Sequence, residues 1–269
     1  MKDRLRMRLL DKMPKQQYEA REGTPNRTSF NWCGTKWQCC MEGGRLIHPG
    51  HPWQWYDANQ VWYEGNELAL HIENKHKVIE YWDGDTYKPV LAVGIIRSVQ
   101  TFGYGIFSAE IQLPKGKNLW PSFWLVGEGP WPKNGEIDGS ESWSGRYGNY
   151  FKISKPQPPY IIPLTYWNDT TNIHWEEDGQ HKSVGSRRLP LVRSLKNPTE
   201  HFFKYEVEWR NDAIVFRVNG KNIRSYCYNI AKHLNGTRQH VIFNIWTTGE
   251  DYSLESPMLV KNFEYKPIS

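Results

Sequence analysis

Four cysteines in 269 residues are too few for a disulfide-framed fold, and none of them forms a Cys-x-x-Cys pair. Cys33, Cys39, Cys40 and Cys227 also lack the histidine spacing of a zinc site, so no metal is expected; one bridge from Cys227 to the N-terminal group and four buried thiols both stay open. No apolar run is long enough to span a bilayer, and the first 26 residues are charged throughout, without the apolar core of a secretion signal. No membrane association is expected, and no signal peptide reads from this chain. No Pro/Gly/Ser linker, low-complexity tract or fixed-period repeat divides the sequence, and its length suits one large all-β domain. Long amphipathic helices are missing too, Tyr228 to Leu234 being the best short candidate. With no groove-reading helix and a net charge of only +5, nucleic acid is not expected as a partner.

What is present is a succession of short alternating runs bounded by turn residues: Leu68–Ile72, Ile106–Leu113, Phe203–Trp209, Ala213–Val218, His240–Trp246 and Met258–Tyr265. Asn211-Asp212 and Asn219-Gly220 supply hairpin turns between and after two of them. The pattern predicts an antiparallel all-β chain, most simply a two-sheet sandwich. The aromatic load is heavy, with 14 Trp, 15 Tyr and 10 Phe in a chain of mean hydropathy -0.74. A sandwich core accounts for half of them or more. Flat rings left over suit a groove that binds sugar, whose C–H face packs on an aromatic face.

The segment Asn134-Gly-Glu136-Ile-Asp138-Gly-Ser-Glu141-Ser-Trp143 carries three carboxylates within six residues, and from Glu136 to Gly145 there is no Lys or Arg. On a regular strand Glu136 and Asp138 share a face while Glu141 points the other way. The small pair Gly139-Ser140 suggests a β-bulge, which would return Glu141 to the face of the other two. Two carboxyls about 5 to 5.5 Å apart are the geometry of a retaining glycosidase, whereas inversion needs about 6.5 to 9.5 Å. The plainer account is three solvated acids on an exposed edge.

A second charge feature lies between Gly179 and Thr199, where Lys182, Arg187, Arg188, Arg193, Lys196 and His181 occur without one Asp or Glu. A solvated loop explains it. A patch for an anionic polymer also would, because clustered Arg fork-bonds sulfate or carboxylate.

Phe102-Gly-Tyr-Gly-Ile-Phe through the Leu113-Pro-Lys-Gly turn and the Trp120-Pro-Ser-Phe-Trp124 strand, followed by Glu136-Ile-Asp-Gly-Ser-Glu141, resembles glycoside hydrolase family 16 in order and spacing. Asn66–Leu70, Tyr205–Trp209, Val218–Gly220 and Pro257–Val260 extend the resemblance over roughly 28–269, leaving 1–27 as an N-terminal extension. The resemblance implies a concanavalin A-like β-jelly roll with an open substrate cleft on its concave face. It implies an endo-β-glycanase that retains configuration, with Glu136 as nucleophile, Asp138 tuning it and Glu141 as acid and then base. Trp120, Trp124, Trp131 and Trp143 become sugar platforms. His174 and Trp175 resemble a strand beside the catalytic one, Asn244 and Trp246 another, and Arg187 and Arg188 become candidate sulfate readers. No cofactor is implied, a structural calcium ion staying open, and the expected state is an extracellular or periplasmic monomer acting on a polysaccharide.

The extra residue in Glu-x-Asp-x-x-Glu separates this chain from licheninase-like sequences and resembles the laminarinase and marine galactanase side. Many laminarinases have Ile/Val-Met before the third acid and Tyr after it, where this chain has Gly139-Ser140 and Ser142-Trp143. The basic segment then favours a β-galactan of agar, porphyran or carrageenan type. A β-1,3-glucanase and a non-catalytic carbohydrate-binding jelly roll are the alternatives, and keeping all three acids argues against the last.

Overall fold

The computed structural model of the chain describes residues 29–41, 46–48, 50–80, 86–144, 150–153, 165–167, 169–186, 189–190 and 197–268. Its main strands, in chain order, are β1 (Ser29–Trp32), β2 (Thr35–Gln38), β3 (Val61–Glu64), β4 (Glu67–Leu70), β5 (Ile95–Ser98), β6 (Gly105–Gln112), β7 (Leu119–Gly127) and β8 (Glu136–Ser142). They continue with β9 (Asp169–Glu177), β10 (Gln180–Ser186), β11 (Phe203–Trp209), β12 (Ala213–Val218), β13 (Lys221–Cys227), β14 (Gln239–Thr247) and β15 (Met258–Pro267). An eight-stranded sheet has the order β1-β2-β5-β14-β7-β8-β9-β10, and a seven-stranded sheet the order β13-β12-β11-β6-β15-β4-β3. Every pairing within these two sheets is antiparallel.

Side-chain alternation explains how the sheets stack. In β11, Phe203, Tyr205, Val207 and Trp209 are buried while Lys204 is exposed; in β12, Ile214, Phe216 and Val218 are buried in the same way. Across the core, Leu119, Phe123 and Leu125 of β7 and Val241, Phe243 and Ile245 of β14 are fully buried. Phe123 and Phe243 stack at 4.9 Å and 9°, and Trp32, Trp37 and Phe263 close around Phe243. Each such side chain contributes roughly 1.5 to 3 kcal/mol by leaving water. The turn after β12 uses Asn219 and Gly220 at φ of 50° and 75°, the left-handed pair that suits the twist of a hairpin.

The six strands expected from alternation are all present, Leu68–Ile72 being interrupted at His71 between β4 and Ile72–Asn74. Tyr228–Ala231 is a short α-helix continued by a 3-10 turn to Leu234. The four cysteines form no disulfide with one another. The N-terminal extension, Arg187, Arg188, Arg193 and Lys196 lie outside the described residues.

Candidate active site

β7 and β14 bury their odd-numbered residues, so their even-numbered ones face the opposite side of the sheet. Trp120, Ser122, Trp124 and Val126 of β7 line a cleft there. β8 sits next to β7 and carries the acids, with a break in its pleat. Asp138 pairs with Trp124 and Ser140 with Phe123, leaving Gly139 as the extra residue; against β9, Asp138 pairs with Asn172 and Glu141 with Thr170, so two residues oppose Thr171 alone. This is the expected bulge. Gly139 and Ser140 both turn into the core side, and Glu136, Asp138 and Glu141 all line the cleft. Glycine is required by space, because a Cβ at 139 would lie 2.8 Å from Val207 Cγ2 and 3.0 Å from the Phe123 ring.

The carboxyls share one buried environment. Glu136 is pushed well above the usual carboxylate range, first by burial and then by Asp138. Asp138 is pushed up likewise by burial and by Glu141. Burial also raises Glu141, against which its bonds to Asn172 and Thr170 and its proximity to His174 and Trp120 pull downward. The Asn172 Nδ2 donates to Glu141 Oε2 at 2.5 Å, and the Thr170 hydroxyl donates at 3.4 Å. His174 Nε2 lies 3.3 Å from Asp138 Oδ2 and 3.9 Å from Glu136 Oε1, and its Nδ1 lies 2.9 Å from His181 Nε2. Like charges this close in low dielectric cannot all ionise, so the set retains protons above the ordinary carboxylate range. One ligand atom each from Glu136, Asp138 and His174 falls within 4.8 Å of the others, a spacing at which a cation can be shared.

The cleft encloses about 780 Å³ and extends beyond the acids on both sides. Past Glu141, Trp120 stacks on Trp143 at 5.5 Å and 29°, while Trp246 stands edge-on to Trp120 at 5.3 Å. Past Glu136, Trp131 is half exposed and packs over His181 and His174 at 4.7 and 6.2 Å. Trp124 lies between, its indole N–H donating to Asn244 Oδ1 at 2.6 Å. Asn244 is fully buried behind that ring, which it holds by this bond, and is not among the residues that line the cleft.

Trp175 is a correction. It neighbours His174 in the chain, so it occupies the opposite pleat, and it is buried with its ring stacked 5.0 Å from His233. Met41, His48, His51, Ser122, Val126, Thr170 and Asn172 line the cleft without having been expected there. Ser122 and Val126 follow from counting by two from Trp124, and Thr170 and Asn172 from counting by two from His174. His48 and His51 come from irregular chain with no periodicity to read. Burial, helped by His48, lowers His51 to about 4, so this ring is uncharged at neutral pH, among Trp53, Trp120 and Trp246.

Residues 50–261 match the model of glycosyl hydrolases family 16, which is well over half of the chain. The chain belongs to that family. A glucan endo-1,3-beta-glucosidase of Cryptopygus antarcticus is 28% identical over 123 residues, 39% of this chain and 44% of that protein. The match thus spans less than half of that relative. A family 16 structure from the mixed-linkage glucan locus of Bacteroides ovatus, in complex with product, superposes with a TM-score of 0.59 at 17% identity, over 82% of this chain and 93% of that one. Another, among endo-acting O-glycanases that gut microbiota express to initiate mucin breakdown, gives 0.61 at 22% identity over 90% and 87%. These likenesses carry the fold, a jelly-roll sandwich. Within this family 16 chain the bulged strand, its two neighbours and the aromatic cleft form one continuous site.

Proposed function

We propose that this family 16 chain is a retaining endo-β-glycanase whose first substrate is a neutral glucan with β-1,3 or mixed linkages. The observation that carries the chemistry is the convergence of Glu136, Asp138 and Glu141 on one face through the Gly139-Ser140 bulge. Glu136 attacks the anomeric carbon while Glu141 gives its proton to the departing oxygen; Glu141 then removes a proton from the water that releases the glycosyl-enzyme. Of the paired acids, Asp138 has the more enclosed side chain, 4% exposed against 17% for Glu136. The pair shares one proton, and attack requires it to rest on Asp138 when substrate binds, leaving Glu136 ionised. Aromatic rings on both sides of the acids support internal cleavage, since sugar units need holding on either side of the cut.

Neutral substrate is favoured by the lining. Among the described residues none that faces the cleft is Lys or Arg, while three are acids. The relatives named above that act on glucans favour the same choice. A sulfated β-galactan is the second reading, carried by the basic stretch from Gly179 to Thr199; Arg187 and Arg188 within it lie outside the described residues.

The test is oligosaccharide release from laminarin, mixed-linkage glucan, agarose, porphyran and carrageenans, with the anomer of the first product read by proton NMR. Laminarin or mixed-linkage glucan is expected to be cut with β-anomer product, and Glu136→Ala to lose on the order of a thousandfold or more. Cleavage of porphyran or carrageenan alone, weakened by changing Arg187 and Arg188 to Ala, would establish the second reading. No release from any polymer would leave a binding module, and equal release by wild type and Glu136→Ala would remove Glu136 as the nucleophile.

A further inference from the structure

Beneath the bulge, on the core side of β8, lies a carboxyl that the reaction does not use. Asp169, the first residue of β9, is 1% exposed. Its Oδ1 accepts a 3.0 Å bond from the Ser140 hydroxyl, and the Ser142 hydroxyl and the Glu141 backbone N–H also turn toward the carboxyl. Ser140 and Ser142 hydroxyls are 3.5 Å apart, and the buried rings of Tyr150 and Tyr205 enclose the group. Packing gives no reason for an acid here, because a buried carboxyl destabilises a core unless its lone pairs are used. The bulge gives one. A bulge leaves backbone groups without ladder partners, and a buried N–H needs an acceptor.

We propose that Asp169 is a positioning residue: its carboxyl replaces the missing strand partner of the bulge, clamps Ser140 and the Glu141 backbone, and so aims Glu141 at the glycosidic oxygen. β9 then grips Glu141 from both faces, with Asp169 below the strand and Thr170 and Asn172 above it. The Gly139-Ser140 pair is read as the sequence partner of Asp169: glycine fits beneath Val207, and serine supplies the hydroxyl that reaches the carboxyl.

The inference rests on Glu141 being the acid and base, so Glu141→Ala is the reference variant. Two substrates are compared: the polymer that the panel above identifies, and the 2,4-dinitrophenyl β-glycoside of its trisaccharide, whose leaving group departs without a proton. A defect in Glu141 slows the polymer, spares the first-turnover burst of dinitrophenolate, and leaves a slow steady state that azide accelerates by replacing water. Asp169→Asn is expected to lower polymer kcat about ten- to a hundredfold, a part of the factor of about 10² to 10⁴ that a general acid supplies. KM should stay within about threefold, with the burst intact and azide rescue present, as for an interaction made only in the transition state. Ser140→Ala is the second variant should Asp169→Asn not fold, with the same pattern and a smaller loss. Equal losses on both substrates without azide rescue, or no loss on either, would overturn the role of Asp169 while Glu141→Ala still shows its signature. A Glu141→Ala enzyme without that signature would overturn the assignment of Glu141 itself.

Discussion

At Gly139 the distance from a would-be Cβ to Val207 Cγ2, 2.8 Å, decides which residue the bulge accepts. Gly139→Ala should destabilise the fold by about 1 to 3 kcal/mol, the usual cost of an overpacked core, read as a lower urea midpoint at unchanged m. In a Val207→Ala background the nearer of the two clash partners is gone, and the added cost should shrink; an equal cost in both backgrounds would mean that the Val207 clash is not its cause. The acids carry a second consequence at this scale. Burial and mutual repulsion raise Glu136 and Asp138 together, so the folded pair retains a proton that the unfolded chain gives up from about pH 4 upward. Stability contributed by the neutral form is complete below that point and falls as pH rises. Glu136→Gln removes the titration, and should gain about 0.5 to 2 kcal/mol at pH 7 and nothing at pH 3.5. Equal gains at both pH values would argue against this charge effect. The same residues show how far the sequence is legible. Three acids and a Gly-Ser pair specify the bulge because alternation fixes which residue must be skipped. His48 and His51 reach the cleft from chain that has no period, and only tertiary structure brings them there.

Strand neighbours pass position along the sheet. Gly185 of β10 pairs with Asn172 of β9, and a Cβ at 185 would overlap Asn172 Oδ1. The absent side chain thus leaves room for the amide that holds Glu141. Gly185→Ala should displace Asn172 and cut kcat about tenfold or more, within the range that a mispositioned general acid forfeits. The pH profile separates this from simple damage. The Asn172 bond lowers Glu141 by favouring its ionised form, so its loss raises Glu141 and keeps the acid protonated to higher pH. The alkaline limb should therefore move upward; a limb that stays in place would refute the three-strand link. Strand identity was legible for β11, β12 and their hairpins because the alternation is clean and Asn219-Gly220 marks a turn. His174 lies on the strand beside β8 and faces the cleft as expected, while Trp175 does not join it there, since adjacent residues of a strand cannot share a face.

Among the described residues the cleft stands apart in charge. The chain is net +5, yet the described lining of its cleft holds three acids and no Lys or Arg. The composition signalled the fold's heavy aromatic use but not its division: Trp32, Trp37 and Trp209 fill the core, while Trp120, Trp124, Trp131, Trp143 and Trp246 line the cleft. Counting tryptophans cannot make that division, because it depends on which face of a sheet each one takes. The basic stretch drew the sequence reading toward an anionic galactan, and the acid-lined cleft favours the opposite. Salt distinguishes them. A neutral glucan has no charge for the protein's field to steer, so kcat/KM on laminarin should change by less than about twofold between 0.05 and 0.5 M NaCl, where the Debye length falls from roughly 14 to about 4 Å. For a sulfated polymer drawn in by Arg187 and Arg188 the same range should reduce kcat/KM steeply. For one repelled by the acids it should increase it. A steep fall on a polymer that the enzyme cuts well would remove the neutral-substrate reading and return the basic segment to the binding surface.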